Sequence, residues 1–143
     1  MNIEHVRSRF IKHFDGKTGN IYASPGRINL IGEHTDYNGG FVFPGAVEQG
    51  IMAEVRPNGQ KTCNIYSIDM KDMVHFEIDD PKGPSATWAR YIYGIVREMK
   101  ALGVDVKPFN AAFAGDVPLG AGMSSSAALE SCFPFVIKDL FAN

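Results

Sequence analysis

The sequence predicts an α+β domain, a mixed sheet packed with helices. Apolar residues fall at helical spacing in two widely separated places, strand-like runs lie between them, and the order of the two is irregular rather than alternating. With 143 residues, 45% hydrophobic and 21% charged, the chain is long enough for one domain with a core and has the composition of an ordinary soluble protein.

The elements follow in order. Ile3, Val6, Phe10, Ile11 and Phe14 recur at helical spacing, so residues 1–15 predict an amphipathic helix, ended by Asp15, Gly16 and Gly19. Asn20 to Ser24 predicts a short strand running into the turn at Pro25-Gly26, with a second apolar run from Ile28 to Ile31. Residues 33–40 are polar and glycine-rich, which is loop chemistry. Val47 to Arg56 and Thr62 to Ile68 are strand-like and joined by the turn signal Pro57-Asn58-Gly59. Val74, Phe76 and Ile78 alternate with polar residues, as in a half-buried strand.

A second helix is predicted from Trp88, where Tyr91, Ile92, Ile95, Val96, Met99 and Leu102 continue one stripe to a terminal glycine, Gly103. Phe109 to Ala114 predicts another strand, and the chain turns helical again from Ser125. In that last helix Leu129, Cys132, Phe133, Phe135, Val136, Ile137, Leu140 and Phe141 leave almost no polar face, so it calls for cover on several sides. Pro134 inside it removes a backbone donor and crowds the Glu130 carbonyl, so a kink or stop is expected there.

Composition also excludes some functions. The formal charge is −2 and no basic run points to nucleic acid. No apolar stretch approaches the roughly 20 residues of a membrane span, and the amino terminus lacks the apolar core of an export signal. Cys63 and Cys132 match no metal spacing and are expected as reduced, buried thiols of a cytoplasmic protein.

Two segments carry chemistry. In Ala114 to Glu130, AGDVPLGAGMSSSAALE, glycines let the backbone approach a ligand, and its amides, with the N-terminus of the following helix, suit a polyphosphate. A flexible turn with a serine helix cap is the plainer reading. The Gly-Lys-Ser/Thr ending of a P-loop is absent. In Ser24 to Gly40, SPGRINLIGEHTDYNGG, the side chains of Glu33, His34 and Asp36 offer charge-assisted hydrogen bonds to a polyhydroxylated ligand. A solvated acidic turn is the alternative, and a metal site would need more open spacing.

Together the two segments resemble the signatures of the galactokinases, a family within the kinases that include the homoserine, mevalonate and phosphomevalonate kinases. PGRINLIGEHTDYN is similar to the galactokinase signature, and PLGAGMSSSA to the phosphate loop of the wider superfamily. The resemblance implies the N-terminal portion of a two-domain kinase. Its reaction would be transfer of the ATP γ-phosphoryl group to the anomeric hydroxyl of α-D-galactose. Glu33, His34, Thr35 and Asp36 would bind the sugar, and Arg27 would stabilise the transition state. Gly120, Ala121, Gly122, Met123, Ser124, Ser125 and Ser126 would wrap the phosphates, Ser126 would ligate Mg2+, and Ser67 and Trp88 would lie on the nucleotide side. Trp88 also fits its helix stripe as plain core.

The family's magnesium-binding glutamate, catalytic aspartate and third glycine-rich motif follow the phosphate loop and have no counterpart in residues 1–143. The expectation is therefore an incomplete N-terminal domain without its C-terminal partner domain, inactive alone and prone to self-association, whereas the full enzyme would be monomeric. A non-catalytic galactose and ATP sensor and an N-acetylgalactosamine kinase are the alternatives within the resemblance; the intact GEHTDYN favours galactose.

Overall fold

A computed structural model describes residues 3–25, 50–115 and 123–142, with the backbone alone for Pro25 and residues 123–128. The expected second apolar run, the loop at 33–40 and the start of the strand at Val47 lie outside the described residues. The elements are α1 (Ile3–His13), β1 (Asn20–Pro25), β2 (Gly50–Pro57), β3 (Cys63–Ser67), β4 (Asp72–Phe76), α2 (Thr87–Ala101), β5 (Phe109–Gly115) and α3 (Met123–Phe141). The α+β class is as expected.

The strands form one sheet in the order β1-β2-β5-β3-β4. β1 pairs antiparallel with β2, β2 with β5 and β3 with β4, whereas β3 and β5 are parallel. A tight turn such as Pro57-Asn58-Gly59 ordinarily makes its flanking strands neighbours, but here β5 lies between them. Carboxamides bridge the turn to the intruding strand: Asn110 Oδ1 accepts from Asn58 Nδ2 and from Asn64 Nδ2, both at 2.8 Å. The Asn58 amide donates to the Pro108 carbonyl at 3.1 Å. Asn64 and Asn110 are buried, so this mutual satisfaction removes the desolvation penalty each would carry alone.

Alternation along the strands sends side chains to two faces. On one face Ile51, Ala53 and Val55 of β2, Cys63 and Ile65 of β3 and Phe109, Ala111 and Phe113 of β5 pack against α2 and α3. Opposite, Ala112 and Ala114 meet Val6, Phe10 and Phe14 at α1. β5 is therefore buried on both faces, as its apolar run requires. Gly19 tucks against β2, where a β-carbon would stand 2.4 Å from the Val55 carbonyl oxygen.

Three helix expectations need adjustment. In α1, Val6 and Phe10 are buried but Ile3 and Ile11 are exposed. In α2 the buried line runs Trp88, Ile92, Val96, Met99, while Tyr91 falls to its edge and Leu102, at the C-cap, is 73% exposed. Gly103 takes φ +102 just after that cap. Its amide bonds to Lys100 O and the Val104 amide to Met99 O, closing the helix in a Schellman motif. Finally, α3 runs through Pro134 to Phe141 without stopping. Phe133, Val136 and Ile137 are fully buried around the proline, and this packing outweighs the lost donor, while the exposed Glu130 sits on the solvent side.

The cover that α3 calls for comes from α2 and the sheet. Together they bury Leu129, Cys132, Phe133, Val136 and Ile137, and Leu140 and Phe141 pack partly on the same core. Phe135 stays 40% exposed, edge-on to Tyr22. The Tyr22 hydroxyl donates to Asp139 Oδ2 at 2.6 Å, tying β1 to the last turns of α3.

Both cysteines are free and buried, as expected. Burial pushes each thiol up to about 12 from 9.0. Burial and the bond to Asp139 push Tyr22 up to about 12 from 10.0. These groups hold their protons more tightly folded than unfolded. Their contribution is complete below the unfolded values and is lost as pH rises toward 12. The urea midpoint is expected to fall steadily from about pH 9 upward; a midpoint that holds level through that range would contradict the burial of these groups.

Candidate functional site

The site is set by strand direction. β1 and β5 both run antiparallel to β2, and β3 runs parallel to β5, so β1, β5 and β3 point the same way. Their C-terminal ends, at Pro25, Gly115 and Ser67, lie along one end of the sheet. The segment beginning at Gly26 continues from β1, and the glycine- and serine-rich segment continues from β5. The two therefore leave the sheet at the same end, separated only by β2, or about 9.6 Å from ordinary strand spacing.

The helix dipole points there too. α3 returns antiparallel to β5: Phe133 packs on Phe113 at mid-strand, with ring centroids 6.2 Å apart, and Phe141 on Phe109 at the strand's start. Its N-terminus, with Ser124, Ser125 and Ser126 in the first turn, lies at the end where β5 exits, where free amides and the positive end of the dipole suit an anion.

The turn after β3 joins the same rim. Ser67 Oγ, fully buried, accepts from the Met70 amide at 3.3 Å. The Ile68 amide donates to Phe113 O at 2.9 Å, and Asp69 Oδ2 accepts from the Gly115 amide at 2.8 Å. At the start of α2, the Trp88 indole Nε1 donates to Asp72 Oδ2 at 3.3 Å. Trp88 is 4% exposed and packs against Phe113, centroids 5.5 Å apart.

Of the residues singled out from sequence, Ser67 and Trp88 are thus brought to one rim, both buried, Trp88 as a core residue with a polar handle. Arg27, Glu33, His34, Thr35, Asp36, Gly120, Ala121 and Gly122 lie outside the described residues, and Met123 to Ser126 are placed by backbone alone. Sequence reasoning missed Asp69 and Asp72. Their only signal was an aspartate at each end of a short polar turn, common in loops of any function. Among the described residues no group of three or more His, Cys, Asp or Glu could hold a metal ion, and no helix is long and apolar enough to cross a membrane.

Comparison with known proteins agrees with this geometry. Residues 8–57 match the galactokinase galactose-binding signature and residues 90–143 the GHMP kinases N terminal domain. The galactokinase of Lactobacillus helveticus is 37% identical over 147 residues, covering 99% of this chain and 38% of that protein. The galactokinase of Roseiflexus sp. is 38% identical over 135 residues, covering 94% of this chain and 34% of that protein. The crystal structure of Lactococcus lactis galactokinase complexed with galactose superposes with a TM-score of 0.68 at 32% identity, over 96% of this chain and 36% of that one.

The fold and the match at residues 90–143 give the class: the chain carries N-terminal-domain sequence of the GHMP kinases. Within that class the chain belongs with the galactokinases, and it spans a little over a third of the length of the curated relatives it matches.

Proposed function

We propose that the sequence is the N-terminal part of an ATP-dependent sugar kinase that transfers the γ-phosphoryl group to the anomeric hydroxyl of α-D-galactose, giving galactose 1-phosphate. The observation that carries this reading is the shared exit: the sugar-signature segment and the phosphate-type loop leave parallel strands at one end of one sheet. A sugar hydroxyl and a terminal phosphate held there are neighbours, and most of phosphoryl-transfer catalysis is positioning and charge stabilisation.

The roles follow the chemistry of the side chains. Glu33 and Asp36 accept hydrogen bonds from sugar hydroxyls, and His34 and Thr35 add donors and acceptors that fix which hydroxyls fit. The Arg27 guanidinium offsets charge developing on the transferred group. Amides of residues 120–126 and the N-terminus of α3 hold the phosphates. Mg2+ suits hard oxygen donors, and Ser126 in the first turn of α3 supplies one. When bound, the ion neutralises charge on the phosphate oxygens. Ser67 and Trp88 support the nucleotide side from within the core. A cytoplasmic location accords with metabolic phosphorylation by ATP and with the reduced thiols.

The test is galactose-dependent ADP release, measured on the 143-residue chain and on a form extended by the C-terminal sequence its relatives carry. Turnover is expected in the extended form and little or none in residues 1–143. If the extended form phosphorylates no sugar, the kinase reading is wrong; robust turnover by the short chain would refute the need for later residues.

A further inference from the structure

The Ser67–Asp72 turn contains a carboxylate that the reading above leaves without a role. β3 ends at Ser67, opposite Phe113, yet β5 continues to Gly115. The Ile68 amide still bonds to Phe113 O at 2.9 Å. One step further the chain has turned away, and the next donor, the Gly115 amide, would face no strand carbonyl. Asp69 Oδ2 fills that place at 2.8 Å, extending the ladder by a side chain. The turn is itself held, by Ser67 Oγ accepting from the Met70 amide and by Asp72 receiving the Trp88 indole N–H. Gly115 is the last residue of β5, immediately before the segment that leads to residues 120–126. A glycine there has no side chain to limit its backbone, and pairing with Ile51 of β2 leaves its other edge to the Asp69 acceptor.

We propose that Asp69 is a positioning residue for the nucleotide phosphates: by fixing the Gly115 amide it sets the angle at which the chain enters the phosphate loop. This rests on the reading of residues 120–126 as that loop. Asp69 acts through Gly115, as a hydrogen-bond acceptor and not as a charge. A neutral acceptor of the same shape should therefore serve.

The experiment compares Asp69→Ala and Asp69→Asn with the parent in the form extended by the C-terminal sequence its relatives carry. Two readouts are used: hydrogen exchange at the Gly115 amide, and affinity for MgATP and for AMP measured by titration calorimetry. Asp69→Ala is expected to speed Gly115 exchange about tenfold and weaken MgATP about fivefold, the size of one lost hydrogen bond, with AMP unchanged. Asp69→Asn is expected to match the parent in both. Unchanged exchange or unchanged MgATP affinity in Asp69→Ala overturns the inference while leaving the kinase reading intact. Equal weakening of MgATP in both variants also overturns it, because charge would then be the cause. A parent chain that binds neither nucleotide refutes the phosphate-loop reading, and the inference with it, whatever the exchange rates.

Discussion

Phe113→Ala is expected to lower the unfolding free energy by about 3–5 kcal/mol, the range for deleting a fully buried phenylalanine. Phe113 has no exposed surface. It stands in the central strand between Trp88 of α2 and Phe133 of α3, ring centroids 5.5 and 6.2 Å away. Removing the ring leaves a cavity bounded by two helices and a sheet that cannot all close inward. A domain of ordinary stability has about 5–15 kcal/mol in total, so this one change removes a large share. Urea unfolding followed by Trp88 fluorescence measures it directly. A loss below about 1 kcal/mol would mean that the three-ring cluster is not the centre of the core.

Glu54→Ala is expected to cost about 2–4 kcal/mol. Glu54 is fully buried on the α1 side of β2. Its Oε1 accepts from Arg7 Nε at 3.0 Å and its Oε2 from the Gly19 amide at 2.6 Å. Arg7 Nη2 also reaches the Gly19 carbonyl at 3.3 Å, so the carboxylate joins α1, the turn after it and the sheet. Alanine would leave a part-buried backbone amide without its acceptor and α1 without its polar anchor. The Arg7 side chain is 40% exposed and can recover water, which places the cost below that of breaking a fully buried pair. Amide exchange should show α1 opening well before the sheet. Uniform destabilisation of both would argue that α1 is held by Val6 and Phe10 alone.

The elements were legible in sequence to different degrees, for physical reasons. The period-3.6 pattern reports which side of a helix is buried and located α1 and α2 closely, while short strand-like runs located β3 and β5. They say little about partners. A turn like the one joining β2 and β3 ordinarily makes its strands neighbours, and nothing local reveals that β5 enters between them, where Asn110 meets Asn58 and Asn64. Pro134 does not stop α3, because its cost is local while the packing that offsets it comes from α2 and the sheet. Glu54 looked like one polar residue in an apolar strand, since its partners are 47 and 35 residues away. For the site, residue types named both segments, but only strand direction shows that they leave the sheet together. Asp69 carried only the signal of an ordinary turn aspartate, because its role depends on where another strand ends.

The position of β5 bears on how the protein assembles. As the chain emerges from a ribosome, β1 can zip to β2 and β3 to β4, but these are two separate ribbons, each with an open inner edge. Only when residues 109–115 arrive can a single strand slot into both edges and join them. Until then two unpaired edges await the same late piece of sequence, and the closure that unites them spans long stretches of chain, so it is slow and all-or-none. The strand that leads into the glycine- and serine-rich segment is also the keystone of assembly. A nascent chain therefore has no ordered pocket to offer a ligand before its sheet is whole.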